Sequence, residues 1–234
     1  MSEETRGTPL SLIVFAYNEV ENVPTVLPEI LAWLRGTGED HELIFVDDGS
    51  TDGTLAAARA VLGDDPRYKA FSNGTNRGIG GAIKAGVATA TRPWITFLPC
   101  DGQIPPGELD ALLDAARREP VDVVFSIYKD RDDGVHRTLM SAGVRGLIRA
   151  VHGVTMRSDG PYLFRRALFD PRELAPDSFF LNFEFPIRVM RRGIPYATVS
   201  ISCVPRRAGK SKSAKLKTIA IIARDLVGLK RRMR

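Results

Sequence analysis

Carboxylates, amides and an aromatic ring collect at three places in this chain, each just after an apolar run. Ala16-Tyr17-Asn18-Glu19 follows the first run, Asp47-Asp48-Gly49-Ser50-Thr51-Asp52-Gly53-Thr54 the second, and Pro99-Cys100-Asp101-Gly102-Gln103 a later one. Tyr17 can stack on a nucleobase, and Glu19 and Asp48, as acceptor-only carboxylates, can take hydrogen bonds from ribose hydroxyls or a base edge. The same Asp47 to Thr54 composition suits a turn with an Asx or Ser/Thr cap on the next helix, a use compatible with ligand binding. Asp101 with Gln103 is the best metal candidate. Hard Mg²⁺ or Mn²⁺ ions prefer oxygen and complete their shells with substrate phosphates and water; a polar turn ahead of Pro105-Pro106 is the plainer use of these residues.

Asn76-Arg77-Gly78-Ile79-Gly80-Gly81 precedes a stretch compatible with a helix, so backbone N–H groups at its start can face a phosphate. A tight turn and close helix packing explain the glycines equally well. The run lacks the Gly-Lys-Ser/Thr of a phosphate-binding P-loop and the downstream acid of a dinucleotide fingerprint. His41, His136 and His152 are dispersed without metal-ligand spacing, and Cys100 reads as a small residue filling a turn.

The elements that must position these groups follow from periodicity. Apolar, β-branched runs at Leu10 to Phe15, Leu43 to Val46, Trp94 to Leu98 and Val121 to Ile127 read as strands, with helical patterns between them. Val20 to Arg35 carries Val23, Leu27, Ile30, Leu31 and Leu34 at helical spacing, and Thr54 to Leu62 starts a helix after the Asp52-Gly53 turn. Near-continuous apolar strands joined by helical crossovers predict a parallel sheet buried on both faces. In such sheets ligands gather beyond the carboxyl ends of the strands, which is where the three polar clusters fall. Farther on, Val135 to Val151 reads as a helix, and Arg191 to Val204 as an edge strand after the Gly193-Ile194-Pro195 turn. Leu216 to Leu229 reads as an amphipathic basic helix.

With 44% hydrophobic and 26% charged residues in 234, the chain has the balance of an ordinary folded protein, which excludes disordered and fibrous classes. Two cysteines exclude a disulfide framework and a four-cysteine zinc site. No secretory leader and no run of ~18 apolar residues is evident, so a cytoplasmic location is expected. The net charge of +5 hides an asymmetry: residues 206 to 234 hold eleven Lys/Arg against one acid, Asp225, leaving the rest of the chain net acidic. A basic tail on an acidic body predicts a phosphate-bearing partner or a solvated helix end. Only 8% aromatics and no recognisable nucleic-acid motif argue against nucleic acid as that partner.

Together these motifs resemble the family 2 glycosyltransferases of the GT-A fold, most closely the dolichol-phosphate mannosyltransferase and polyprenyl-phosphate glycosyltransferase branch. The likeness rests, in order, on Tyr17-Asn18-Glu19, on Val46 to Thr54, on Asn76-Arg77-Gly78 and on Asp101-Gly102-Gln103-Ile104-Pro105-Pro106. The resemblance implies a Rossmann-like α/β fold over residues 1–212, followed at 213–234 by a basic amphipathic helix that is part of the same domain or a membrane-surface contact. It implies that Tyr17, Glu19, Val46 and Asp48 hold the nucleoside of a GDP- or UDP-sugar, and that Asp101 and Gln103 hold Mg²⁺ or Mn²⁺ on the diphosphate. Arg137 and Ser141 match a phosphate-facing pair. Asp159, with Tyr162 to Arg166 after it, and Glu184 match the family's later acidic residues, either of which is a candidate base for an alcohol acceptor. Arg206, Gly209, Ser211 and Lys212 match a C-terminal segment that closes over the phosphates.

Two departures stand out. The family's Asp-x-Asp reads Pro99-Cys100-Asp101, without its first metal ligand, and Gly-Ser-Arg-Tyr reads Phe125-Ser126-Ile127-Tyr128, leaving Lys129 or Arg131 to replace an arginine. The expected activity is inverting, metal-assisted transfer of a sugar to a polyprenyl or dolichyl phosphate by an enzyme peripheral to the inner face of a membrane. A soluble acceptor and a non-catalytic nucleotide-sugar-binding module are the rival readings. No oligomeric state is implied.

Overall fold

The computed structural model describes residues 7–129, 134–174, 177, 180–206 and 217–233, with the side chains of 134–142 and 217–223 outside that description. In chain order the strands are β1 (Leu10–Ala16), β2 (His41–Asp47), β3 (Tyr68–Ser72), β4 (Trp94–Pro99), β5 (Val123–Tyr128), β6 (Leu163–Arg165) and β7 (Tyr196–Ile201). The helices are α1 (Val23–Gly36), α2 (Thr54–Leu62), α3 (Gly78–Thr89), α4 (Asp110–Arg118), α5 (Gly134–His152), α6 (Leu181–Arg191) and α7 (Lys217–Arg232).

Among the described residues the strands form one sheet in the order β3-β2-β1-β4-β6-β5-β7. Every pairing is parallel except those of β6, which runs antiparallel to β4 and β5. The expected mostly parallel sheet flanked by helices is therefore the observed one. Because successive side chains point to opposite faces, Leu12, Val14, Leu43 and Phe45 bury one way with residues of α1, α2 and α4. Ile13, Ile44, Val46 and Phe97 bury the other way with residues of α3 and α6. Continuous apolar sequence in β1 and β2 is thus what burial on two faces demands.

Boundaries shift for local reasons. The first helix starts at Val23 rather than Val20, because Glu19 to Asn22 form a turn with Asn22 at the cap and Pro24 in the first helical positions. Residues 191–204 divide: α6 ends at Arg191, Gly193 turns at φ +65°, and only Tyr196–Ile201 pair, as the edge strand beside β5. A third apolar cluster joins Ile148 of α5, Phe180, Ile187 of α6, and Leu226 and Leu229 of α7, so the basic C-terminal helix packs against the body of the fold. No helix of the described residues is long and apolar enough to cross a membrane.

Candidate functional site

The first two acidic motifs are partners of each other. Backbone N–H groups of Asn18, Glu19 and Val20 donate to Ser50 Oγ (2.8 Å), Thr54 Oγ1 (2.9 Å) and Asp52 Oδ2 (3.1 Å), while Asn18 Oδ1 accepts from Thr51 N (2.9 Å). Asn18 reaches this position with φ +53°, a left-handed conformation that asparagine tolerates better than most residues. Asp52 also accepts from Thr54, and these bonds hold its carboxyl below the usual range against the opposing effect of burial. Asp47, buried, accepts from Ser50 N and Ser72 Oγ. Within this loop, then, Asp47 and Asp52 close the turns at Ser50 and Thr54, while the cap position of α2 is Gly53, without a side-chain bond.

Asp48 is 4% exposed and its carboxylate faces the glycine-rich turn. Oδ1 accepts from Asn73 Nδ2 (2.9 Å) and Arg77 N (3.0 Å), and Oδ2 from Gly78 N (2.7 Å) at the start of α3. A carboxylate beside a helix N-terminus also gains from the helix dipole. Gly49, at φ +77°, lies under this turn; a Cβ there would come within 2.6 Å of the Thr75 carbonyl carbon. Val46 is fully buried among Ile13 and Ile44, so its side chain supports the loop from the core.

The loops carrying Asp48 and Asp101 flank the end of one strand. Asp48 N donates to Ala16 O (2.8 Å) and Cys100 N to Phe15 O (2.9 Å), so the two loops leave β2 and β4 on either side of β1, about 10 Å apart at the strand spacing. Tyr17 and Glu19 continue β1 between them. Arg206 then closes the group: its guanidinium donates to Glu19 Oε1 and lies 3.7 Å from Asp101 Oδ2. Glu19 Oε2 accepts from Asn22 Nδ2 (2.5 Å), and Asp101 Oδ1 from the backbone N–H of Gln103 (3.1 Å). Burial, with Glu19 and Asp101 adding to it, pushes the Cys100 thiol up to about 12, which keeps it protonated and unreactive.

No group of three or more His, Cys, Asp or Glu side chains that could cage a metal occurs among the described residues. The donor chemistry nonetheless fits a Mg²⁺-type ion shared with a substrate. One carboxylate, Asp101, and an amide two residues on, Gln103, stand at the strand-end edge, and such ions take few protein ligands when phosphates supply the rest.

Asp159 lies on the same edge, its N–H on Ser126 O at 2.9 Å, and its half-exposed carboxylate is paired with Arg145 of α5 at 3.4 Å. Glu184 stands at the start of α6, inside the fold. It is fully buried, and its two oxygens accept from Arg188 (2.8 Å) and from Arg232 of α7 (3.3 Å). A carboxylate enclosed by two guanidiniums ties α6 to α7. Arg137 and Ser141 belong to α5, but their side chains lie outside the described residues, as do Gly209, Ser211, Lys212 and Arg131 altogether.

Three residues with clear roles carried little sequence signal. Asn73 is legible only as half of an Asn-Gly turn, yet its amide holds Asp48. Asp177 binds Arg77 (2.6 Å) and Lys84 (3.1 Å), fastening the segment before α6 to α3. Glu108, in the short 3-10 turn Pro106–Leu109 after Gln103, accepts from Ser202 N at 2.7 Å.

A model described as glycosyl transferase family 2 matches residues 11–174 of the chain. Among curated proteins, the undecaprenyl-phosphate 4-deoxy-4-formamido-L-arabinose transferase of Pectobacterium carotovorum subsp. carotovorum (strain PC1) is 33% identical over 153 residues, 64% of this chain and 46% of that protein. The enzyme of the same name from Enterobacter sp. (strain 638) is 32% identical over 165 residues, 69% of this chain and 50% of that one. The chain thus spans about half the length of the curated relatives it matches. Among solved structures, glucosyl-3-phosphoglycerate synthase from Mycobacterium tuberculosis in complex with Mn²⁺, UDP and phosphoglyceric acid superposes with a TM-score of 0.70 at 21% identity, covering 95% of this chain and 77% of that one. The likeness is one of fold.

Proposed function

The chain belongs to glycosyl transferase family 2, and on that premise we propose that it transfers a sugar from a nucleotide-sugar to the phosphate of a polyprenyl lipid, with inversion and with the help of a divalent metal. The observation that carries this reading is the meeting of Glu19, Asp101 and Arg206 beyond the end of β1, with the Asp48 loop alongside. Tyr17, Glu19 and the Asp48 loop form the nucleoside side of the site. Asp101 and Gln103 would hold Mg²⁺ or Mn²⁺, which would supply positive charge to the diphosphate. Arg206 adds a fixed cation next to it, and Ser211 and Lys212, with Arg137 and Ser141, are the proposed further phosphate contacts. Charge grows on the departing nucleoside diphosphate, so preorganised cations there lower the barrier most. A phosphate oxygen of the acceptor forms the new bond to the anomeric carbon as the bond to the diphosphate breaks. An anionic acceptor needs no proton removed, which accords with Glu184 being committed to Arg188 and Arg232. For an alcohol acceptor Asp159 remains the candidate base.

The acceptor class is supported by the activities for which the 33% and 32% identical relatives are named, and by the basic C-terminal helix, whose exposed Arg224, Lys230 and Arg231 suit an anionic membrane surface. We read residues 1–212 as the catalytic unit and 213–234 as its membrane-facing helix. The test supplies radiolabelled UDP- and GDP-sugars with polyprenyl phosphate in detergent or membranes. Label is expected in an organic-soluble, mild-acid-labile product. Label found only on an added water-soluble phosphorylated acceptor reassigns the acceptor, and nucleotide-sugar binding without transfer to either acceptor makes the protein a binding module.

A further inference from the structure

Arg206 reaches the donor site from far along the chain, on the segment that leaves the edge strand β7. Two hydrogen bonds set that segment's course. Ser202 donates its backbone N–H to Glu108 Oε2 at 2.7 Å, and Val204 donates its backbone N–H to Gln103 O at 2.8 Å. Both acceptors belong to the loop that also carries Asp101. Arg206 follows Val204 by two residues, so its backbone cannot stray more than about 7 Å from that anchor. Its side chain then spans to Glu19 and Asp101.

Of the two anchors, Glu108 is the one made by a side chain. It is fixed from below: Glu108 N donates to Pro105 O (3.0 Å), and its neighbour Leu109 is fully buried in the core. We propose that Glu108 is a positioning residue that clamps the 202–206 segment to the Asp101 loop and thereby sets Arg206 over the nucleotide diphosphate. This inference rests on the donor-site reading above and deepens it. Glu108 acts at one remove from the chemistry, through the Ser202 N–H. What matters is an acceptor oxygen at that point rather than its charge.

Four variants of the whole chain test this: Glu108→Ala, Glu108→Gln, Arg206→Ala, and Glu108→Ala combined with Arg206→Ala. Amide hydrogen exchange across 202–206 reads the clamp, and donor KM against kcat reads its consequence. Glu108→Ala is expected to speed exchange in 202–206 and to raise the donor KM about tenfold. Glu108→Gln, which keeps an acceptor oxygen, restores both. In the Arg206→Ala background Glu108→Ala changes KM no further, because its effect passes through Arg206. Unchanged exchange in Glu108→Ala, an unchanged donor KM despite faster exchange, or an equal KM increase with Arg206 absent each overturns the positioning role. Failure of the donor reading is a different result: the unsubstituted protein then binds no nucleotide-sugar at all, and the positioning role falls with it.

Discussion

The backbone N–H of Gly78 meets Asp48 Oδ2 at 2.7 Å, so the acid of the second strand's loop and the first residue of α3 hold one another. Oδ1 of the same carboxylate takes the Arg77 N–H and the Asn73 amide. The resemblance assigns Asp48 to the nucleoside, and the structure gives it a further duty, that of shaping the turn that leads into α3.

Asp48→Asn separates these duties only in part, and that makes the expected result specific. An asparagine keeps one acceptor oxygen and turns the other position into a donor, which then opposes the Gly78 N–H or the Arg77 N–H. Leaving a buried donor unmatched costs about 1–3 kcal/mol, or roughly 2–10 °C of melting temperature for a chain of this size. Thermal melts should show that loss together with weaker nucleotide binding. A variant as stable as the parent would mean that Asp48 does not hold the turn.

Asp101→Asn tests the chemistry with little structural cost. The carboxylate's hydrogen bond from the Gln103 backbone can be kept by an amide oxygen, so the melting temperature should move by no more than ~2 °C. Transfer should fall by about 10²–10³-fold, the loss typical when one preorganised group that stabilises the transition state is removed, and added Mn²⁺ should not restore it. Turnover that survives the substitution would remove Asp101 from the mechanism and leave Arg206 as the main cation on the diphosphate.

The contrast between these two aspartates shows what the sequence could convey. Asp48 and Asp101 both stand out as acids at strand ends, because β1, β2 and β4 are long, apolar and easily placed. Which one is absorbed by backbone donors depends on where residues 73–78 return, and that return is governed by β3, a half-exposed edge strand reading YKAFS with no clear alternation. β6 is just three residues long and antiparallel, too short for any periodicity. Glu108 is paired with a residue 94 positions away, and Glu184 finds Arg232 across 48. Local pattern carries the strands and their polar ends; it says nothing of which distant partner claims a given carboxylate.

For Glu184 that distinction becomes measurable. Removing one member of a buried ion pair costs the other its main compensation, and Arg188, only 8% exposed, would keep just the Glu173 carbonyl at 2.7 Å and the more distant Glu173 carboxylate at 3.7 Å. Glu184→Ala should therefore cost about 3 kcal/mol, lowering the melting temperature by roughly 10 °C. The kcat of the folded fraction, assayed well below that temperature with a phosphate acceptor, should stay within about twofold of the parent. A drop of several hundredfold in kcat with an unshifted melt would instead make Glu184 the base.

His152 supplies the pH dependence of the α5–α7 contact. Its Nε2 lies 2.9 Å from Leu226 O of α7 and therefore carries the proton in the neutral ring, while Nδ1 is buried without a hydrogen-bond partner among the described residues. Burial, and to a lesser degree the charges of Arg191 and Lys230, hold its pKa below the usual 6.5, partly offset by the bond to Leu226. The folded state thus resists a proton that the unfolded chain accepts. Stability from this group is complete above pH 6.5, declines as the pH drops from there towards the lowered folded value, and is constant again beneath it, with a slope of at most about 1.4 kcal/mol per pH unit. His152→Gln, which keeps a donor for Leu226 but does not titrate, should flatten the loss of melting temperature between pH 7 and pH 5. Glu42 and Asp177, whose pKa values are lowered from 4.5 and 3.8, contribute at more acid pH and leave that window to His152. Parallel curves for parent and variant across pH 7 to 5 would show that the ring is already free to take its proton in the folded protein.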